Sequence, residues 1–95
     1  MGMKWILKDK AKGTAVEYTS FPYAFRTMFN VVKKGVETGR KYSDMANELT
    51  IVSPQLDRMG KLRVYDYSEA TKMATASGLL TPDGTINSRE FKRNT

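Results

Sequence analysis

The sequence contains neither cysteine nor histidine. Without cysteine there are no disulfides, thiolate nucleophiles or thiolate metal ligands, and a small secreted domain would ordinarily need such cross-links. Without histidine, the commonest general base and the commonest ligand of transition metals are also missing. These two absences exclude zinc enzymes and histidine-based catalytic triads, and they favour a reducing, cytoplasmic setting.

Long apolar runs are absent as well. The short apolar segment that ends at Leu7 is interrupted by Lys4 and followed by Lys8, so it is neither a signal-peptide core nor a membrane span. No glycine-rich loop has the spacing and the following Lys-Ser or Lys-Thr of a nucleotide hydrolase. We therefore expect no membrane association, no nucleotide hydrolysis and no cofactor.

One pattern imitates a metal-dependent nuclease site, namely Pro82-Asp83 followed by Glu90-Phe91-Lys92. Such a site needs its carboxylates on adjacent strands, where both can supply oxygen ligands to a hard cation such as magnesium. Here Asp83 belongs to a routine turn sequence and Glu90 lies near the end of the chain. The sequence therefore predicts a protein that is not an enzyme and binds no metal.

What the sequence does contain is enough for one hydrophobic core. Of its 95 residues, 40% are hydrophobic and ten are aromatic, which suits a single modest core. Charged residues make up 27% and are mixed with apolar ones along the whole chain, unlike the composition of a disordered protein. We predict a single domain over residues 1–95, with residues 1–3 and 93–95 frayed.

The first part of the chain predicts a β-hairpin followed by a helix. Residues 5–8 and 14–19 are rich in strand-forming residues, and Gly13 suits the positive φ at the end of the intervening loop. Ser20 can then cap a helix, and Gly35 or Gly39 should end it. The apolar stripe of this helix, at helical spacing, consists of Phe21, Phe25, Met28, Phe29 and Val32.

Residues 43–62 allow two interpretations. In the first, a short helix capped by Ser43 or Asp44 precedes strands over residues 49–53 and 61–67, because Ile, Val and Tyr suit a pleated surface. In the second, residues 43–62 form a helix-turn-helix that binds DNA, with Ser53-Pro54 opening the recognition helix. The turn position that usually carries glycine in that motif is Thr50 here, which weakens the match.

The last third of the chain predicts a second helix over residues 68–77, ended by Gly78. A turn follows at residues 81–84, and Asn87 or Ser88 can cap a final helical turn. Taken together, the elements predict an α+β fold: two β-hairpin/helix units form a small antiparallel sheet packed by helices on one face. A short C-terminal turn and tail complete it.

The net charge of +6 is unevenly distributed. Residues 1–41 hold nine Lys and Arg against three Asp and Glu, whereas residues 42–88 hold four against six. A basic end with a mildly acidic middle indicates an anionic partner, with nucleic acid first and an acidic protein surface second. Solubility alone would also explain a charge of this size.

The candidate site residues fall into two groups. Strand alternation predicts Leu62 and Val64 to point inward, which leaves cations and stackable rings on an open sheet face, the combination that holds single-stranded nucleic acid. That group consists of Lys8, Arg63, Tyr65 and Tyr67. The second group, suited to phosphate contacts, consists of Lys10, Lys12, Lys33, Lys34, Arg40 and Lys41.

These residues predict a small, non-catalytic, basic module that binds nucleic acid or associates with it. An alternative is a protein-interaction adaptor or accessory protein, of the kind that phages encode, which uses exposed Tyr and Arg side chains as anchors on a host or partner protein. The helix-turn-helix regulator over residues 43–62 is a third hypothesis.

Overall fold

The computed structural model describes residues 4–93, except for the side chain of Arg93. Residues 1–3, 94 and 95, part of the ends predicted to be frayed, lie outside the described residues. The elements, in chain order, are β1 (Trp5–Asp9), β2 (Thr14–Tyr18), α1 (Phe21–Glu37), α2 (Tyr42–Glu48), β3 (Leu49–Leu56), β4 (Leu62–Asp66), α3 (Tyr67–Ala76) and α4 (Ser88–Arg93).

The four strands form one antiparallel sheet in the order β2-β1-β3-β4. Leu7 of β1 lies opposite Ile51 of β3, and Ile51 lies opposite Tyr65 of β4. All three side chains are buried, whereas Lys8 and Val64, which alternation places on the other face, are exposed. The predicted α+β fold, with two hairpin/helix units and helices on one face of the sheet, is confirmed.

Helix α1 supplies most of the core because its apolar residues recur at helical spacing. Phe21, Phe25, Met28 and Val32 are buried against the sheet, and Phe29 is half-buried. Pro22 sits in the first turn, where the missing N–H costs no hydrogen bond. Stacked and edge-on ring contacts run from Trp5 through the phenylalanines of α1. The predicted apolar stripe is therefore correct.

The end of α1 uses its two glycines differently. Gly39, with a φ of +94°, takes the left-handed conformation that ends the helix. Gly35 keeps a helical conformation and lies against the buried side chain of Met45 in α2. The N-cap of α2 is Lys41, and the helix begins at Tyr42. The predicted caps, Ser43 and Asp44, lie inside its first turn.

Residues 43–62 form a helix, a strand and a loop, so the helix-turn-helix hypothesis is wrong. Helix α2 ends at Glu48, and β3 begins at once and pairs with β1 on one side and β4 on the other. Because β3 is a central strand, its backbone groups serve two ladders that a recognition helix would leave unpaired. A bulge between Val52 and Leu56 interrupts the pairing with β4.

Side-chain caps start the last two helices. The Asp66 carboxylate accepts a hydrogen bond from the Glu69 N–H at 2.8 Å, and Asn87 Oδ1 accepts one from the Arg89 N–H at 3.1 Å. Ser20 occupies the N-cap position of α1 as predicted, but its buried hydroxyl makes no hydrogen bond. Within residues 4–93, no helix is both long and apolar enough to cross a bilayer.

Candidate nucleic-acid interface

Three adjoining depressions run along the solvent side of α1. The first, of about 390 Å³, lies between α1 and the β1–β2 loop. The second, of about 430 Å³, lies over the middle of α1, and the third, of about 490 Å³, lies between α1 and α4. Val31 and Lys34 line both the first and the second, and Arg26 and Asn30 line both the second and the third. Because these residues are shared, the three shallow depressions adjoin along one side of α1, and together we call them the α1 groove.

The α1 groove is strongly basic. Its cations come from four parts of the chain: Lys12, Arg26, Lys34, Arg40 and Lys92. Among the residues described, the one carboxylate that lines it belongs to Asp9. The backbone N–H groups of Ala11 and Lys12 donate hydrogen bonds to that carboxylate, at 3.0 and 3.4 Å. The Asp9 side chain is therefore engaged in the turn of the β1–β2 loop.

Helical periodicity explains why α1 presents cations to this groove. Its apolar residues face the sheet, which leaves the opposite side for Arg26, Asn30 and Lys34. Glu37 is the single acidic residue among the 17 residues of α1. The helix dipole favours a cation near the C-terminus of α1, which explains the position of Lys34. It does not account for Arg26 near the other end.

Arg26 is held in place by aromatic rings. Its guanidinium lies 4.3 Å from the centre of the Phe91 ring and 5.4 Å from that of Tyr23. Tyr23 and Phe91 pack edge to face with centroids 5.0 Å apart. These cation–π contacts restrict the side chain while its N–H donors stay at the surface, where Arg26 is exposed.

At the other end of the groove, Arg40 donates two hydrogen bonds to the Glu48 carboxylate, at 3.1 and 2.9 Å. The pair is partly exposed, so it positions the guanidinium more than it stabilises the fold. A planar guanidinium has five N–H donors, and the remaining ones can contact a ligand in the groove.

The structure brings together three members of the predicted phosphate-binding group, Lys12, Lys34 and Arg40, in the first depression. Lys33 and Lys41 are exposed but do not line the groove in the described part of the chain. Lys10 is exposed, and its backbone N–H donates a hydrogen bond to the Glu48 carbonyl at 2.9 Å.

The predicted orientation of β4 is wrong. Tyr65 and Tyr67 are 8% and 6% exposed, whereas Val64 is 53% exposed on the open face. Tyr65 follows Ile51, its cross-strand partner, into the core, and Tyr67 belongs to the first turn of α3. Because the apolar residues of β4 alternate on both faces, its pattern alone did not decide the orientation. Neither tyrosine offers a free ring for stacking on a base.

The other two members of the predicted open-face group are apart from the groove. Lys8 is exposed on the open face of the sheet, with Ala15 and Thr50 as its strand partners. Arg63 is exposed on β4, where its guanidinium lies 5.4 Å from the centre of the Tyr65 ring. Alternation places Arg63 on the helix side of the sheet, with Tyr65.

Two cations of the groove, Arg26 and Lys92, were not among the predicted site residues. Arg26 precedes Lys34 by eight residues, about two helical turns, so helical spacing was a usable signal for their shared face. Lys92 reaches the groove only because α4 packs on α1 through Phe91 and Tyr23. That long-range contact has no local sequence signature.

The two acids of the nuclease-like pattern lie in different parts of the fold, Asp83 in a turn and Glu90 in α4. Asp83 lies in the turn after Leu80, where its carboxylate accepts hydrogen bonds from the hydroxyls of Thr81 and Thr85. Those bonds, first that of Thr81, hold the pKa of Asp83 below its ordinary value. No group of three or more acidic side chains able to hold a metal ion occurs within residues 4–93.

Comparison with known proteins gives no match to a family model, to a curated protein or to a solved structure. The α1 groove therefore has to be interpreted from its own geometry and charge.

Proposed function

We propose that the protein is a non-catalytic module that binds the phosphate backbone of nucleic acid along the α1 groove. The observation that carries this proposal is the convergence of five cations from four parts of the chain on the adjoining depressions of the α1 groove, where one carboxylate is present among the described residues. A polyanion of regular charge spacing is the partner that such a row of cations suits.

The dimensions of the groove support a nucleic-acid strand. Arg26 and Lys34 are eight residues apart on α1, which corresponds to about 12 Å along the helix axis. Neighbouring phosphates of one B-DNA strand rise about 3.4 Å along the duplex axis, so a row of this length can contact more than one phosphate. Lys12 and Arg40 extend the row beyond one end, and Lys92 extends it at the other.

The chemistry of the lining residues supports binding with little sequence preference. Cations that contact phosphates position a nucleic acid but do not read its bases. Asn30 and Ser88 add polar groups that can donate to phosphate or sugar oxygens. With Tyr65 and Tyr67 in the core, stacking by these two rings is not part of the mechanism.

A salt titration tests the proposal. We expect labelled single- and double-stranded oligonucleotides to bind, as measured by fluorescence anisotropy. If about four phosphates of a duplex are neutralised, the association constant should fall about 100-fold between 50 and 200 mM salt. An absence of binding at the lowest salt concentration would refute the proposed function.

Matched variants separate the groove from the net charge of the protein. Replacing Lys12 and Lys34 with Gln removes two groove cations and should lower the salt slope by about two. Replacing Lys8 and Lys72 with Gln removes the same charge from exposed positions outside the groove and should leave most of the slope intact. Equal losses in both double variants would mean that overall charge, and not the groove, drives the binding.

A further inference from the structure

A second surface lies at the opposite edge of the sheet from β2. It is a depression of about 740 Å³ formed by the end of β3, the β3–β4 loop and β4, which we call the β4 surface. Its lining residues are Leu56, Asp57, Arg58, Lys61, Leu62, Arg63 and Val64. None of them lines the α1 groove.

Three aliphatic side chains of the β4 surface are well exposed to solvent. Leu56, Leu62 and Val64 are 64%, 46% and 53% exposed. Cross-strand pairing of Leu56 with Leu62, and of Val52 with Val64, places these side chains together on the open face. Single exposed apolar side chains are ordinary on a protein surface, whereas adjacent ones that form a patch are typical of interaction sites.

Two of its cations, Lys61 and Arg63, lie on the side of the sheet opposite Leu62 and Val64. The Asp57 N–H bonds the Lys61 carbonyl at 2.7 Å, which continues the ladder beyond the Leu56–Leu62 pair. Alternation then puts Lys61 and Arg63 on the helix side, while Leu62 and Val64 are on the open side. The cation–π contact with Tyr65 holds Arg63 on that side.

The one acidic lining residue is already engaged by the loop. The Asp57 carboxylate accepts hydrogen bonds from the backbone N–H groups of Met59 and Lys61, at 2.9 and 3.0 Å. The described lining of the β4 surface therefore contains three cations, Arg58, Lys61 and Arg63, and one carboxylate, which is hydrogen-bonded within its own loop. The surface complements a negatively charged ligand.

The outer side of β4 also has free strand-pairing capacity. Within residues 4–93, β4 pairs with β3 and with no strand on its other side. An exposed edge can accept an added strand through main-chain hydrogen bonds.

We propose that the β4 edge binds an extended, acidic peptide segment of a partner protein as a fifth strand. Apolar side chains of the peptide lie beside Leu62 and Val64 on the open face, and its carboxylates lie beside Lys61 and Arg63 on the helix side. A peptide that alternates apolar and acidic residues satisfies both faces at once, because strand side chains alternate.

The positive charge of the β4 surface argues against a second copy of the protein as the occupant, and the burial of Tyr65 argues against nucleic acid. Pairing β4 with β4 of a second copy would gather Lys61 and Arg63 of both chains along one side of the joined edge, which is repulsive. Nucleic acid would meet aliphatic side chains on the open face and no free tyrosine ring, because Tyr65 is buried.

The test uses a fluorescein-labelled peptide of about ten residues that alternates valine and glutamate. We expect saturable binding with a dissociation constant of at most about 100 μM, together with amide chemical-shift changes in β4. A valine-lysine peptide and a peptide of the same composition with separate valine and glutamate blocks should both bind at least tenfold more weakly.

Two variants locate the binding site. Arg63→Glu reverses a charge on the surface and should weaken peptide binding at least tenfold, and Val64→Ser should weaken it through lost apolar contact. Arg89→Glu makes the same charge change on α4, away from β4, and should leave peptide affinity nearly unchanged. Circular dichroism verifies that each variant is folded.

Three results would overturn this assignment. These are peptide binding that does not depend on residue order, chemical shifts that map to α1, and an oligonucleotide that perturbs β4 in place of the peptide. The oligonucleotide salt titration tests the α1 groove separately, so failure at one surface is distinguishable from failure at the other.

Discussion

Gly35 is a point of tight contact between α1 and α2. A Cβ at this position would overlap Sδ of Met45, whose side chain is fully buried. Gly35→Ala gains about 1 kcal/mol of helix propensity, but the overlap forces a buried side chain to move, at a cost of about 2 kcal/mol. We expect a net loss of about 1 kcal/mol in the free energy of unfolding, measured by urea denaturation.

Glu37→Ala provides the comparison for this substitution. Glu37 is exposed in the last turn of α1, so its change should stay within about 0.5 kcal/mol. If Gly35→Ala proved more stable than the unaltered protein, the Met45 side chain would have to move aside at no cost, and the tight helix contact would be disproved.

Tyr67 makes the stability of the protein sensitive to alkaline pH. Burial, followed by the charge of nearby Tyr42, raises the pKa of Tyr67 above its ordinary value of 10.0. The two rings pack edge to face with centroids 5.4 Å apart. As the pH rises past the unfolded value of about 10, the unfolded state loses this proton first, so the stabilisation present below that pH is progressively lost.

We expect Tyr67→Phe to flatten this decline. The free energy of unfolding, measured in urea at several pH values from neutral to above the unfolded tyrosine pKa, should fall less steeply in the variant than in the unaltered protein. Titration of tyrosinate absorbance should show one late-ionising group that the variant lacks. If the absorbance lost in the variant belonged instead to a tyrosine that ionises near the ordinary value of 10, Tyr67 would ionise like an exposed tyrosine.

At the scale of elements, the junction between β4 and α3 depends on one cap. Asp66 ends the strand, and its carboxylate accepts the Glu69 N–H in the first turn of α3. Asp66→Ala removes that acceptor and should lower the free energy of unfolding by about 1 kcal/mol. Asp66→Asn keeps an acceptor oxygen and should retain most of the stability. Similar losses in both variants would assign the effect to charge and not to capping.

The elements also show which local patterns were decisive. In α1, the apolar residues repeat with a helical period and occupy one side only, so both the helix and its buried face were predictable. In β4, Leu62 and Val64 lie on one face and Tyr65 lies on the other, and all three are apolar enough to be buried. Strand alternation therefore did not show which face packs on the core. Pairing with Ile51 decided between them.

At the scale of the whole molecule, two separate surfaces each hold more cations than carboxylates among their described lining residues. Helix α1 covers one face of the sheet and carries the groove on its solvent side, while β4 is the edge strand beyond β3. Charge composition indicated an anionic partner but could not show that the cations would form two groups. The groove has polar neighbours suited to phosphate, whereas the β4 surface combines its cations with aliphatic side chains.

By itself, the sequence determined the α+β class, the hairpin/helix order and the core face of α1, because these depend on local periodicity, turn residues and helix ends. The tertiary structure alone decided which face of β4 is buried, since that depends on the register with β3. It also decided that Lys12, Arg26, Arg40 and Lys92 meet along α1. Those positions are distant in the chain, and only the packing of the β1–β2 loop, α1 and α4 brings them together.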